Sequence, residues 1–263
     1  MLRLIAPRLA GRMTIFVAGG TGKTGGRVVT RLQDRGVAVR AGSRKTGFDW
    51  ARPESWAPAI GDADRAYVTY YPDMAVPSAV EDLSAFGKVA ADLGVQRIVL
   101  LSGRGEPEAA EAEDALRAAG IPTTVLRAAW MNQNFTEGGF AEMVQAGHVT
   151  LPAGDVGEPF VDCDDIADAA VAALHLQAPD DLYELTGPRL LTFAEAASEL
   201  GAAYTRITLD EFAAALPDDY AGLLRYLFGT VLDGRNASLG TGVQDLLGRV
   251  PKDFSLFAQN VRG

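Results

Sequence analysis

The residues best suited to chemistry stand near the start of the chain, in Gly19-Gly20-Thr21-Gly22-Lys23-Thr24-Gly25. Read as Gly19-x-x-Gly22-x-x-Gly25, the spacing supplies a tight turn and a backbone bare enough for a pyrophosphate to approach. Its last glycine lets a helix pack closely on a sheet. The helix start that follows offers free N–H groups and a partial positive charge to phosphates. A Walker A loop is the rival reading, since Gly22-Lys23-Thr24 resembles its ending. That motif needs a glycine five positions before Gly22, where Val17 stands, and no strand-borne magnesium aspartate follows. The loop therefore reads as a dinucleotide cradle, with Gly19, Thr21, Gly22, Lys23, Thr24 and Gly25 as its contacts.

Which dinucleotide binds is decided after the second strand. NAD enzymes usually place Asp or Glu there for the ribose 2′-hydroxyl. This chain has Arg40-Ala41-Gly42-Ser43-Arg44-Lys45 instead. Guanidinium, hydroxyl and ammonium groups hold a 2′-phosphate that a carboxylate would repel. The expectation is NADP(H), with Arg44 and Ser43 as chief contacts and Lys45 beside them. Asp49 is a candidate for the adenine amino group, or else a surface carboxylate.

The elements that must position these residues alternate. Apolar, β-branched runs at 14–18, 37–41, 66–70, 97–101 and 123–127 read as strands, and Phe48-Asp49-Trp50 as a short further one. Helical spacing covers 23–35, 76–93 and 107–119, with Gly36, Gly94 and Gly120 at the closing positions. Strand–helix alternation implies right-handed crossovers and an α/β, doubly wound parallel sheet of Rossmann type. After Arg127 the alternation loosens, where a smaller, mostly helical C-terminal lobe is expected. The expected division is an N-terminal extension over 1–12, a Rossmann domain over 13–130 with 159–182 returning to it, and a substrate lobe from 131–158 and 183–263. Pro7 and Arg8 interrupt the early apolar residues, which argues against a secretory signal.

Composition narrows the partners. The chain has 263 residues, 48% hydrophobic and 22% charged, with 24 basic against 34 acidic residues and a formal charge of −10. Such a balance, with no basic cluster longer than Arg44-Lys45, argues against nucleic acid and anionic membranes and fits a soluble cytoplasmic protein. No apolar run approaches the roughly 18–20 residues that span a bilayer. The single cysteine, Cys163, excludes an internal disulfide, and its carboxylate neighbours disfavour a reactive thiolate. Asp162, Asp164 and Asp165 read as a turn capping the next helix, and no metal site is expected. His175 reads as structural, while His148 could reach the cleft. Thr192 and Glu195 form a capping-box pattern. Tyr226 and Phe228 either seal the pocket or belong to a dimer interface, leaving monomer or homodimer open.

These motifs together resemble a known family. The glycine loop, Ser43-Arg44, Leu126-Arg127 followed by Asn132-Gln133-Asn134-Phe135, and Phe160-Val161-Asp162-Cys163-Asp164-Asp165-Ile166-Ala167 are similar to the NmrA-like branch of the short-chain dehydrogenase/reductases. Tyr183-Glu184-Leu185-Thr186-Gly187-Pro188 with Leu191-Thr192 is similar to its C-terminal half. The resemblance runs from about Met13 to the end. It implies an atypical Rossmann domain and NADPH-dependent reduction of quinones, enones or iminium ions. The branch also holds regulators that bind the dinucleotide and catalyse nothing.

The superfamily's usual Tyr-x-x-x-Lys pair is missing from the helix after the fifth strand, which begins Glu106-Pro107-Glu108-Ala109-Ala110-Glu111-Ala112-Glu113-Asp114. General-acid help of that kind is worth about 10²–10⁴ in rate. An electrophile that dispenses with it suits this chain better: an iminium, a quinone or a conjugated enone. Glu106, Glu108 and Glu111 read as complements to the helix dipole, while Glu113 could face the cleft. The catalytic candidates come from strand ends. Ser102 either bonds substrate or caps the following helix. Tyr70 and Tyr71 either stack on cofactor or substrate or fill the sheet's edge, and Tyr70 and Ser102 are also cofactor candidates. Trp130, with Met131 and Phe135, suggests an apolar wall, which the resemblance puts beside the nicotinamide. The reading is a reductase of a small apolar electrophile, with a flavin possible but demanded by no residue. The alternatives are a redox sensor or a tailoring enzyme with redox-neutral chemistry.

Overall fold

Hydrophobic runs that read as strands form one sheet buried on both faces. The computed structural model describes residues 13–176 and 181–262, so the expected extension over 1–12 lies outside the described residues. The first half contains β1 (Thr14–Ala18), α1 (Lys23–Asp34), β2 (Ala38–Gly42), α2 (Trp56–Ile60), β3 (Arg65–Val68), α3 (Ser78–Asp92), β4 (Arg97–Gly103), α4 (Pro107–Arg117) and β5 (Thr123–Ala128). Next come α5 (Ala141–Gln145), β6 (His148–Leu151), α6 (Cys163–His175), β7 (Leu182–Leu185), α7 (Phe193–Glu199) and β8 (Ala203–Arg206). The chain ends in α8 (Leu209–Ala214), α9 (Asp218–Tyr226), α10 (Gly242–Leu247) and α11 (Phe254–Arg262).

The sheet has six parallel strands in the order β2-β1-β3-β4-β5-β7. Strand order reverses between β1 and β3, which opens a crevice at their carboxyl ends. One face is covered by α2, α3 and α4 over Phe16, Trp56, Phe86 and Leu100. The other carries α1, α6 and α10 over Val28, Leu32, Val99 and Ile166. Fully burying a side chain such as Leu32 or Phe16 stabilises the fold by roughly 1.5–3 kcal/mol. The domain is doubly wound, as its strand–helix alternation requires.

The lobe beyond β5 has its own core, in which Phe135, Phe140, Phe160, Phe193, Phe228 and Phe254 pack together. A two-stranded parallel sheet, β6 with β8, lies within this otherwise helical part. Thr192 caps α7 and exchanges hydrogen bonds with Glu195, as the capping pattern implies.

Two expectations are corrected. Phe48-Asp49-Trp50 forms no strand. Phe48 and Trp50 are buried against Phe86, and Trp50 also meets Trp56. Meanwhile the Trp56 indole N–H donates to the Asp49 carbonyl. The aromatic plug consumes backbone acceptors that a ladder would need, so packing overrides strand propensity. The boundary expected at residue 182 falls inside β7, because Leu182–Leu185 pairs with β5 and belongs to the main sheet.

Candidate functional site

The glycine loop leaves β1 and enters α1 at the crevice. Gly19 takes φ 68°, and a Cβ there would lie 2.3 Å from Thr69 Oγ1. A Cβ on Gly25 would lie 2.2 Å from the Gly19 carbonyl oxygen, so the helix rests directly on the turn. The Gly22 N–H donates to Gly19 O, and the Gly20 N–H to Gly42 O, which ties the loop to the end of β2. No side chain caps α1 and no acidic residue stands in its first turn. Its first N–H groups and its dipole are therefore free for an anion. A cradle that side chains would fill, next to an uncapped helix start, fits a pyrophosphate.

Beyond β2, Arg44 and Lys45 are exposed on a short 3-10 turn. The Arg44 guanidinium carbon stands 5.6 Å from the centre of the Tyr71 ring, within cation–π range. Ser43 differs from its expected role. It is nine-tenths buried, with its hydroxyl 3.3 Å from that of Thr46, so it shapes the turn rather than presenting itself to a phosphate. Asp49 likewise faces its own loop, accepting from the Ala51 N–H at 3.1 Å.

A cleft of about 410 Å³ runs from the loop across the ends of β3, β4 and β5. It gathers Gly19, Gly22, Lys23, Thr24, Tyr70, Ser102 and Trp130 in one wall system. Thr21, Gly25, Ser43, Arg44 and Lys45 lie outside that lining. Lys23 Nζ donates to Asn134 Oδ1 at 2.6 Å and so joins the loop to the lobe. Burial holds its pKa below the usual lysine value. Trp130 forms the apolar end, packed on Phe140, Phe193 and Phe228 with ring centres 5.1–6.3 Å apart. Phe228 thus belongs to the lobe core, and Leu227 and Val231 complete the wall. The Tyr226 hydroxyl donates to Glu108.

The catalytic candidates are less free than their positions imply. Tyr70 presents its ring to the cleft, but its hydroxyl donates to Asp82 Oδ2 at 2.5 Å and meets Ser78. Burial and that carboxylate push its pKa up to about 12. The Ser102 hydroxyl donates to Glu113 Oε1 at 2.6 Å and does not cap α4. Glu113 does not face the cleft: it is 1% exposed and grips Arg127 through two hydrogen bonds of 2.9 and 2.7 Å.

The sequence reading missed the cleft's carboxyl pair. Glu106 is the N-cap residue of α4, yet its side chain makes no capping bond. Instead it meets Asp73, from the loop after β3, and both line the cleft. Burial first, then the Asp73 charge, push Glu106 up to about 9; burial also raises Asp73. The only local signal was a carboxylate beside each strand end. Arg104 was also missed as a clasp: buried in the cleft floor, it donates to Glu184, the Asn236 carbonyl and Ser238.

Other candidates resolve into structural roles. Asp162 caps α6 by accepting from the Asp164 N–H. Asp164 pairs with Arg31 and Lys252, and Asp165 with Arg249. Among the described residues no three His, Cys, Asp or Glu side chains gather as metal ligands. Burial rather than its carboxylate neighbours is the main cause that pushes Cys163 up to about 12. His148 faces β8, bonding Thr205, instead of reaching the cleft.

No protein-family model matches the chain. It is 33% identical over 273 residues to the oxidoreductase YesF of Bacillus subtilis, covering 93% of each. It is 28% identical to agroclavine dehydrogenase of Claviceps fusiformis, covering 94% of this chain and 97% of that one. Its fold is similar to that of an Escherichia coli NADPH-dependent quinone oxidoreductase solved with NADPH. There the TM-score is 0.76 at 19% identity, covering 95% of this chain and all of the other. A cleft at the strand-order switch, an uncapped helix start and this likeness along nearly the whole length agree: the chain belongs to the oxidoreductase family of YesF.

Proposed function

We propose that the protein is an NADP(H)-dependent reductase of the NmrA-like kind that delivers hydride to a small apolar electrophile. The observation that carries this reading is the continuity of one cleft from the glycine cradle to the Trp130 wall. The backbone at Gly19, Thr21, Gly22, Lys23, Thr24 and Gly25 would hold the diphosphate. Arg44 and Lys45 are exposed where a 2′-phosphate would extend past β2, with Tyr71 beneath Arg44. When bound there, the cofactor supplies a hydride. The chain's own part is to orient the acceptor against Trp130, Met131 and Leu227 and to keep water from the reacting face.

An apolar, partly aromatic lining favours flat conjugated acceptors: quinones, enones or iminium ions. The quinone oxidoreductase of similar fold supports the quinone member of that class. No helix among the described residues is long and apolar enough to cross a membrane, and the reading includes action in the cytoplasm. The test is NADPH absorbance under single-turnover conditions with a panel of a quinone, an enone and an iminium salt. Oxidation of NADPH by at least one acceptor is expected. Tight NADPH binding with no oxidation by any of them would favour a redox sensor.

A further inference from the structure

Of the acceptors expected to dispense with a general acid, only the iminium ion does so fully: a neutral quinone or enone still takes up a proton after hydride, so for those two the expectation is revised. Glu106 lines the same cleft as Trp130 and Ser102. Its carboxyl folds back over Gly103 instead of capping α4. A Cβ on Gly103 would come within 2.1–2.5 Å of the carboxyl atoms, so only glycine leaves room for this placement. Glu106 Oε2 is buried and no donor is directed at it, which leaves a negative charge there unsolvated. Asp73, reaching in from the loop after β3, is its hydrogen-bond partner. Two carboxyls in contact cannot both ionise cheaply, so they share one proton.

We infer that Glu106 is the proton donor when a neutral conjugated carbonyl is reduced, with Asp73 the positioning residue that keeps the proton on it. The inference rests on the reductase reading above. The groups facing Glu106 agree with it. Asp73 approaches from the β3 loop, and Glu108 and Glu113 add negative charge from α4 itself. The nearby cations are spent elsewhere: Arg127 on Glu113, Arg104 on Glu184 and Arg235 on Asp233. Among the described residues none pairs with Glu106.

The step balances simply. Hydride, given up with its electron pair from a C–H bond of the reduced dinucleotide, which is thereby oxidised, would form a C–H bond at the carbon β to the carbonyl, and the π electrons shift to oxygen. An O–H bond forms there as the Glu106 O–H bond breaks. The carboxylate left behind regains its proton from water. A permanently cationic iminium acceptor needs no such proton, because hydride alone neutralises it.

Two measurements test the assignment. The first is infrared spectroscopy of the dinucleotide-free protein at pH 7. In difference spectra against Glu106→Gln, which cancel the partly protonated Glu158, a protonated-carboxyl C=O band is expected, and it should titrate at lower pH in Asp73→Asn. The second compares kcat for a neutral enone and an iminium salt. Glu106→Gln should lose about 10²–10⁴-fold with the enone and at least tenfold less with the iminium ion. In Asp73→Asn the alkaline fall of the enone rate should move to lower pH, which a merely structural role would not cause. NADPH binding by fluorescence checks that each variant is folded. Equal losses with both acceptors, or an enone rate untouched in Glu106→Gln, would overturn the inference and leave the reductase reading standing. Failure of every acceptor with the unmodified protein would overturn both.

Discussion

The two ends of the cleft are built in different ways. The dinucleotide end is made of backbone: one continuous stretch of seven residues, Gly19 to Gly25, set at a strand–helix junction. The acceptor end is made of side chains drawn from four distant segments, with Tyr70 and Asp73, Ser102 and Glu106, Trp130 and Asn134, and Leu227 and Asn236 among them. Backbone recognition needs only small residues in the right order, whereas side-chain recognition needs the whole fold to bring its parts together. The first end should therefore fail all at once, and the second by degrees.

The sharpest way to break the contrast is Gly25→Val. Its Cβ would collide with the Gly19 carbonyl, so the helix start must move away from the phosphates. NADPH affinity by fluorescence titration should weaken about hundredfold or more, some 2.7 kcal/mol, with acceptor-end contacts untouched. Arg44→Asp is next. Losing a charge-assisted contact should cut the preference for NADPH over NADH by about 10–100-fold. Unchanged discrimination would remove Arg44 from the phosphate clamp. Trp130→Ala acts at the other end. It should raise the acceptor KM about tenfold while the NADPH Kd stays within twofold, since the ring packs on Phe193 and Phe228 of the lobe.

An effect on stability rather than on binding sharpens the picture of the lobe. Glu158 is 0% exposed with no partner for either carboxyl oxygen, and burial pushes it up to about 7. Its pKa is raised on folding, so its favourable contribution is complete below about 4.5 and lost as pH rises through about 7. At about 1.36 kcal/mol per unit this amounts to a few kcal/mol. Glu158→Gln should flatten the fall in Tm between pH 5 and pH 8 by several degrees, leaving the pH 5 value nearly unchanged. An identical slope in both proteins would show that the carboxyl finds a partner on ionising.

The same contrast explains what could be read in advance. Strands such as Thr14–Ala18, the glycine loop and the caps at Asp162 and Thr192 depend on local order, and each was legible in sequence. Phe48 to Trp50 was misread because its aromatic plug forms with Phe86, 36 or more residues away. Glu106 was assigned to the helix dipole by its position at the start of α4. What gives it another role is Asp73, 33 residues earlier, and a neighbouring glycine that leaves it room. Ser102 lies at the end of β4 as expected, whereas β3 stops at Val68 and leaves Tyr70 two residues beyond it; the partners of their hydroxyls, Glu113 and Asp82, were invisible without the packing of α4 and α3.

Hydride passing across this cleft from one end to the other is what joins its two halves into one site. The most direct test is a single turnover with NADPH deuterated at the transferable C4 position and an enone acceptor, followed by mass analysis of the product. One deuterium per product molecule, bound to carbon, is the predicted result. Product that forms without the label, or bound dinucleotide that keeps it against every acceptor, would contradict the account.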